Sequence, residues 1–281
     1  MSKSLISEED RAIYKLHQLI FRETGMETER NYSWRSEFML NVLTNFGLGY
    51  NPRSDYLTLS QVYSLERMIK ADEELRDRFV AAYCPSTVWF DRNEIGGKVV
   101  SKSRELGEYR VLSAGCSKGS EVYSIAIAFL EAGINLADVI LIGVDVNQKA
   151  IEQAMRGVYL NEEFDHPYNQ LPAELRTKYF SKQGNLYVAS EELTSGVEFK
   201  RCNLVNGEEV AGIAEEKFSV ICCRNVLKYF DNDNAEIIIN NLQQILEPSG
   251  IFFCSADGEE NRRIKAAGFE EVGKYIYKKS N

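Results

Sequence analysis

The residues best suited to chemistry stand just after short apolar runs. YRVLSAG (109–115) leads into Ala114-Gly115-Cys116-Ser117-Lys118-Gly119, and Glu121 follows in the first turn of a segment that reads as a helix. Small residues let a backbone approach a ligand, and a helix N-terminus offers N–H groups to it. A purely structural turn is the alternative. The turn has two of the three glycines of the G-x-G-x-x-G dinucleotide fingerprint, which disfavours a NAD-dependent enzyme. The run VILIGVDV (139–146) contains Asp145, whose carboxylate can accept from two ribose hydroxyls; a cap for a helix over 147–156 is the competing and compatible role. VEFKRCNL (197–204) ends at Asn203-Leu204, a pair suited to the edge and face of adenine, or a plain turn asparagine. The run at 218–223 ends at Arg224-Asn225-Val226, with Tyr229 and Phe230 beyond, so Arg224 and Tyr229 fall at the mouth of the same site. Each signal alone is weak, and their succession at strand ends is what points to a nucleotide-like ligand.

These residues need a scaffold that brings strand ends together. From about residue 108, β-branched runs alternate with helical segments at 119–132, 147–156 and 232–246. That alternation predicts an α/β domain with a mainly parallel sheet, and continuous apolar runs suit strands covered on both faces. The chain closes on IFFCSA after Pro248-Ser249-Gly250 and on AGFEEVGKYIYKK, expected as a strand after a turn. Residues 1–85 differ: segments 7–24, 33–46, 58–70 and 72–83 show helical spacing, with Ile13, Leu16, Leu19 and Ile20 on one face of the first. The expected division is a helical domain at 1–85 and an α/β domain at 86–281.

Composition narrows the classes. Of 281 residues, 44% are hydrophobic and 27% charged, as in a globular chain without membrane insertion. MSKSLISEEDR lacks a signal-peptide core, and the six cysteines form no C-x-x-C, so buried reduced thiols in a cytoplasmic protein are expected. Two distant histidines, His17 and His166, leave no basis for a metal site or a histidine triad. A net charge of −9 argues against nucleic acid.

VLSAGCSKGSEVYSIAIAF, MRGVYLNEE, LPAELRTKYF and VICCRNVLKYFD resemble the corresponding motifs of the CheR chemotaxis methyltransferase family over roughly residues 85–255. The resemblance implies an N-terminal helical domain, a Rossmann-like class I methyltransferase domain and a small inserted β-subdomain, placed near 181–200. It implies S-adenosylmethionine as methyl donor, S-adenosylhomocysteine as product, and glutamates of a chemotaxis-type receptor, or another signalling protein, as partner. Glu121, Asp145, Asn203, Leu204, Asn225 and Val226 match the family's cofactor contacts, joined by Gly115 of the turn and Thr87 of the junction, and Tyr229 matches an active-site tyrosine. The junction departs from the family's Asn-x-Thr-x-Phe-Phe-Arg: Pro85 replaces the Asn and Asp91 the Arg, while Thr87, Trp89 and Phe90 keep the pattern and Arg92 follows one residue late. An acid there repels an anionic substrate, so Arg92 or Arg224 is the expected source of the missing charge. A catalytically degenerate relative that binds the cofactor as a sensor or scaffold is the alternative reading.

Overall fold

The computed structural model describes residues 8–24, 58–83, 94–165, 171–255 and 258–280. The expected helix over 33–46 and the junction residues Pro85, Thr87, Trp89, Phe90, Asp91 and Arg92 lie outside the described residues. Contacts divide the chain into two units, Met1–Pro85 and Ser86–Asn281.

In the first unit the described residues form α1 (Glu8–Thr24), α2 (Leu59–Ala71) and α3 (Glu73–Tyr83). Ala12, Leu16, Leu19 and Ile20 form one stripe of α1 and cluster with Val62, Leu65, Ile69 and Phe79. Thr58 starts α2 through a reciprocal cap: its hydroxyl accepts from the Gln61 N–H, and its own N–H donates to the Gln61 carboxamide at 2.8 Å. Two acids are buried here. Glu23 accepts from Arg22 and Arg76 at 2.8 and 2.6 Å, and Glu66 accepts from Arg22 and Lys70 at 2.7 and 3.0 Å.

The second unit opens with α4 (Glu94–Leu106), β1 (Arg110–Ala114), α5 (Ser120–Glu131), β2 (Ile140–Asp145) and α6 (Gln148–Arg156). An insertion follows: β3 (Val158–Leu160), α7 (Asn161–Asp165), α8 (Ala173–Tyr179), β4 (Phe180–Gln183), β5 (Leu186–Ala189) and α9 (Glu191–Ser195). The alternation then resumes with β6 (Glu198–Arg201), α10 (Gly207–Ala211), β7 (Phe218–Cys223), α11 (Asn232–Gln244), β8 (Leu246–Cys254), α12 (Gly258–Ala266), β9 (Phe269–Gly273) and β10 (Ile276–Lys279).

The main sheet has the order β6-β2-β1-β7-β8-β10-β9. Its first five strands are parallel and β10 runs antiparallel to both neighbours. The chain starts at β1, moves out to β2 and β6, then returns to β7 on the other side of β1. The β1/β7 boundary is therefore the topological switch point of an open Rossmann-like sheet, where ligands bind beyond the carboxyl ends of the strands. β7 is buried along its whole length, as covering helices on both faces require.

The small antiparallel sheet, β3-β5-β4, spans 158–189 rather than 181–200. The expected position fails at both ends. Residues 198–201 pair in parallel with β2 and so belong to the main sheet, while Val158–Leu160 is too short a strand to show a periodic pattern. The segment AGFEEVGKYIYKK holds two strands, not one, reversed at Tyr275, whose φ of 64° is left-handed. Pro248-Ser249-Gly250 lies inside β8, and the register against β7 shifts around it.

Candidate functional site

After β1 the chain curls over the end of β2: the N–H groups of Gly115 and Cys116 both donate to the Val144 carbonyl, at 2.8 and 2.9 Å. Gly115 has φ of 80°, Ser117 of 52°, and Gly119 opens α5. Asp145 braces this loop. Its carboxylate accepts from the Ser117 N–H at 2.8 Å and the Asn147 N–H at 2.9 Å, and its carbonyl accepts from the Cys202 N–H at 2.9 Å. One residue thus joins the ends of β1, β2 and β6. The cap of α6 is Asn147, whose side chain accepts from Lys149 and Ala150, so the capping role weighed for Asp145 belongs to its neighbour. Burial pushes the Asp145 carboxyl above its ordinary range, opposed by the N–H groups of Asn147, Ser117 and Val146. Burial, with Asp145 and Glu121 nearby, pushes the Cys116 thiol well up and keeps it protonated.

Across the switch point, Glu121 accepts from the Ser113 hydroxyl at 2.8 Å and pairs with Arg224 Nη1 at 3.2 Å. Glu121 and Arg224 are both partly buried, at 19% and 29% side-chain exposure, where a charge pair is less screened than at an open surface. Asn225 adopts φ of 58°, which redirects the chain as β7 ends, and Val226 then lies against Gly115. A short turn at Leu227–Tyr229 follows, anchored by buried Leu227 and Phe230, with Tyr229 half-buried and Lys228 Nζ 5.1 Å from its ring centre.

Gly115, Glu121, Asp145, Arg224 and Val226 are thus tied into one constellation. Asn203 and Leu204 follow β6 beside the Cys202 link to Asp145. The Asn203 side chain accepts from the Val205 N–H at 3.1 Å, a turn asparagine, and the Leu204 side chain is buried. Thr87 and Arg92 lie outside the described residues. Sequence reasoning assigned no role to Ser113, Ser117, Tyr159 or Glu163, although the last two stand in the noted segment MRGVYLNEE. Among the described residues no helix is long and apolar enough to cross a membrane.

Residues 90–262 match the family model described as CheR methyltransferase, SAM binding domain. Over 164 residues the chain is 33% identical to the probable biofilm formation methyltransferase WspC of Pseudomonas aeruginosa, covering 58% of this chain and 37% of that protein. It is 33% identical to chemotaxis protein methyltransferase 2 of the same organism, covering 60% of this chain and 59% of that one. It is 32% identical to the chemotaxis protein methyltransferase of Salmonella typhimurium, covering 62% and 59%. The matched region spans between 37% and 59% of the length of these relatives. Among solved structures, the N-methyltransferase NodS from Bradyrhizobium japonicum with S-adenosyl-l-homocysteine aligns at 13% identity and a TM-score of 0.38, covering 67% of this chain and 87% of that one. With its family's model matched from residue 90 to residue 262, the chain belongs to the CheR-type S-adenosylmethionine-dependent methyltransferases and carries their cofactor-binding domain.

Proposed function

We propose that this chain transfers the methyl group of S-adenosylmethionine to glutamate side chains of a chemotaxis-type receptor, forming a methyl ester and S-adenosylhomocysteine. The observation that carries the reading is the convergence of Gly115, Asp145, Glu121 and Arg224 on the carboxyl ends of strands around the switch point. Relatives named chemotaxis protein methyltransferase support methyl transfer in a chemotaxis setting.

The chemistry of this set suits the cofactor. Asp145 commits two of its roughly four acceptor positions to backbone N–H groups, and the others suit two ribose hydroxyls. Glu121 offers a carboxylate to the methionine ammonium, Asn203, whose oxygen is held by the Val205 N–H, keeps its amide N–H groups for the adenine edge, and Asn225 and Val226 complete the wall. S-adenosylmethionine supplies an electrophilic methyl on a sulfonium. The acceptor glutamate is already ionised near neutral pH, so its oxygen forms the C–O bond as the C–S bond breaks and no base has to take a proton. The protein's work is then positioning and charge placement. Arg224, held by Glu121, brings a cation to the strand ends, Tyr229 offers a hydroxyl, and the family resemblance adds Thr87 and Arg92 to the set. Asp91 cannot serve an anionic acceptor, which leaves the guanidinium role to Arg92 and Arg224.

The test uses tritiated methyl donor, the full chain and receptor-containing membranes. Label that enters the receptor and is released as volatile methanol by base supports a carboxyl ester. Cofactor binding by calorimetry with no base-labile label would overturn the transfer.

A further inference from the structure

The 115–119 loop is tied at its far end to something other than the central sheet. The Tyr159 hydroxyl, on β3, donates to the Lys118 carbonyl at 2.7 Å. The Lys118 ammonium meets Glu163 of α7 at 2.8 Å, with the Lys118 and Glu163 side chains 24% and 15% exposed. Glu163 is itself fixed, because its other oxygen accepts from the Leu160 N–H at 2.7 Å. Tyr159 is 1% exposed, and its ring is gripped edge-on by Tyr123, Phe164 and Phe180 with centroids 6.2, 5.8 and 6.1 Å away. A ring held on three sides has little freedom to re-aim its hydroxyl. Burial pushes the Tyr159 phenol well up, so it stays a donor.

We propose that Tyr159, with Glu163 beside it, is a positioning residue for the cofactor loop: the inserted small sheet sets the Lys118 end of the loop while Asp145 sets the Ser117 end. The proposal rests on the reading of 115–119 as part of the cofactor site. It makes cofactor affinity depend on a sheet that contributes none of the residues assigned to the cofactor. Any ligand that loosens or tightens β3 then changes cofactor affinity, and the cofactor changes that ligand's affinity by the same factor.

The experiment compares Tyr159→Phe with Tyr123→Phe in the full chain. Both remove one buried hydroxyl from the same aromatic cluster, but the Tyr123 hydroxyl donates to the Ala154 carbonyl of α6 at 2.7 Å, not to a loop carbonyl. Loss of one such bond corresponds to about three- to tenfold in an equilibrium. In ligand-free Tyr159→Phe, amide exchange of segment 115–119 should rise by about that factor, and the dissociation constant for S-adenosylhomocysteine by calorimetry should rise likewise. Tyr123→Phe should leave both near the unmodified protein. Glu163→Gln, which keeps an acceptor for Leu160, should move both in the same direction and carries the measurement if Tyr159→Phe does not fold. Unchanged exchange, unchanged affinity, or equal effects from the two tyrosines would overturn the proposal. Failure of the cofactor reading is distinguishable: the unmodified chain would then give no heat with S-adenosylhomocysteine, and the ligand-free exchange alone decides whether Tyr159 holds the loop.

Discussion

Val226 lies against Gly115 so closely that a Cβ built on the glycine would sit 2.4 Å from Val226 Cγ2. The contact closes the switch point from both sides, since Gly115 follows β1 and Val226 follows β7. Gly115 also holds φ of 80°, where a side chain costs about 1–2 kcal/mol. Gly115→Ala should therefore lower the thermal midpoint by roughly 3–8 °C and weaken S-adenosylhomocysteine binding at least tenfold, on the order of 1.4 kcal/mol. Adding Val226→Ala removes the clash but not the backbone strain, so the double variant should recover part of the stability. Full recovery would show that sterics alone fix the glycine.

Asp145 makes a second prediction, because it braces the loop and is proposed to hold the cofactor ribose. Asp145→Ala leaves the Ser117 and Asn147 N–H groups without their acceptor, and a charged hydrogen bond contributes about 1.5–3 kcal/mol. Stability should fall by about that amount, and affinity for S-adenosylhomocysteine by tenfold or more. Asp145→Asn, which keeps one oxygen, should fall between. If Asp145→Ala binds as the unmodified chain does while circular dichroism shows an intact fold, the residue is only a brace.

How far these sites are legible in the sequence depends on whether the deciding contact is local. Gly115, Asp145 and Arg224 end apolar runs, and strand ends are where an α/β sheet presents ligands, so their neighbourhood follows from the pattern. Tyr159 and Glu163 act on Lys118 across 41 and 45 residues of chain, and no periodicity carries that information. Asn203 was open to an adenine role or a turn role, and the structure commits its side-chain oxygen to the turn. Helix α4 is not legible in the sequence because Gly96 and Gly97 interrupt its apolar pattern. In three dimensions the same Gly96 is what lets α4 approach α5, since a Cβ there would stand 2.6 Å from that of Ala128.

Acid should destabilise the first unit through Glu66. Hydrogen bonds from Arg22 and Lys70 lower its carboxyl from 4.5 to about 2, despite opposing desolvation. A depressed folded value means stability that is fully present above about pH 4.5 and lost as pH falls toward about 2. Glu23 moves in the same direction: burial opposes the shift, and Arg76 and Arg22 overcome it. Glu66→Gln should cost about 1–2 kcal/mol at pH 7, intermediate between exposed and buried pairs. It should also flatten the acid side of the stability curve, measured as thermal midpoints from pH 7 to pH 2. An acid limb as steep in Glu66→Gln as in the unmodified chain would remove Glu66 as its source.

The Glu121–Arg224 pair offers the sharpest test of how charge is held at the strand ends. Each group is partly buried, and Glu121 is also fixed by the Ser113 hydroxyl. Glu121→Gln removes the anion facing the Arg224 guanidinium, and Arg224→Gln removes the cation facing Glu121; either should cost about 1–2 kcal/mol of stability, because an ion pair in a partly dry cleft is screened less than an exposed one. Glu121→Gln/Arg224→Gln removes both charges and should cost less than the sum, with a coupling energy between 0.5 and 3 kcal/mol being the usual range for groups in contact. Transfer should separate the two partners. If Glu121 meets the methionine ammonium, Glu121→Gln raises the dissociation constant for the cofactor. If Arg224 serves the acceptor carboxylate, Arg224→Gln lowers the methylation rate at saturating cofactor by more than it changes cofactor affinity, and Arg224→Lys restores only part of the rate because an ammonium lacks the planar fork. Additive stability effects, with a methylation rate indifferent to Arg224, would mean that the pair is a surface contact and that Arg224 does not supply the cation for the acceptor.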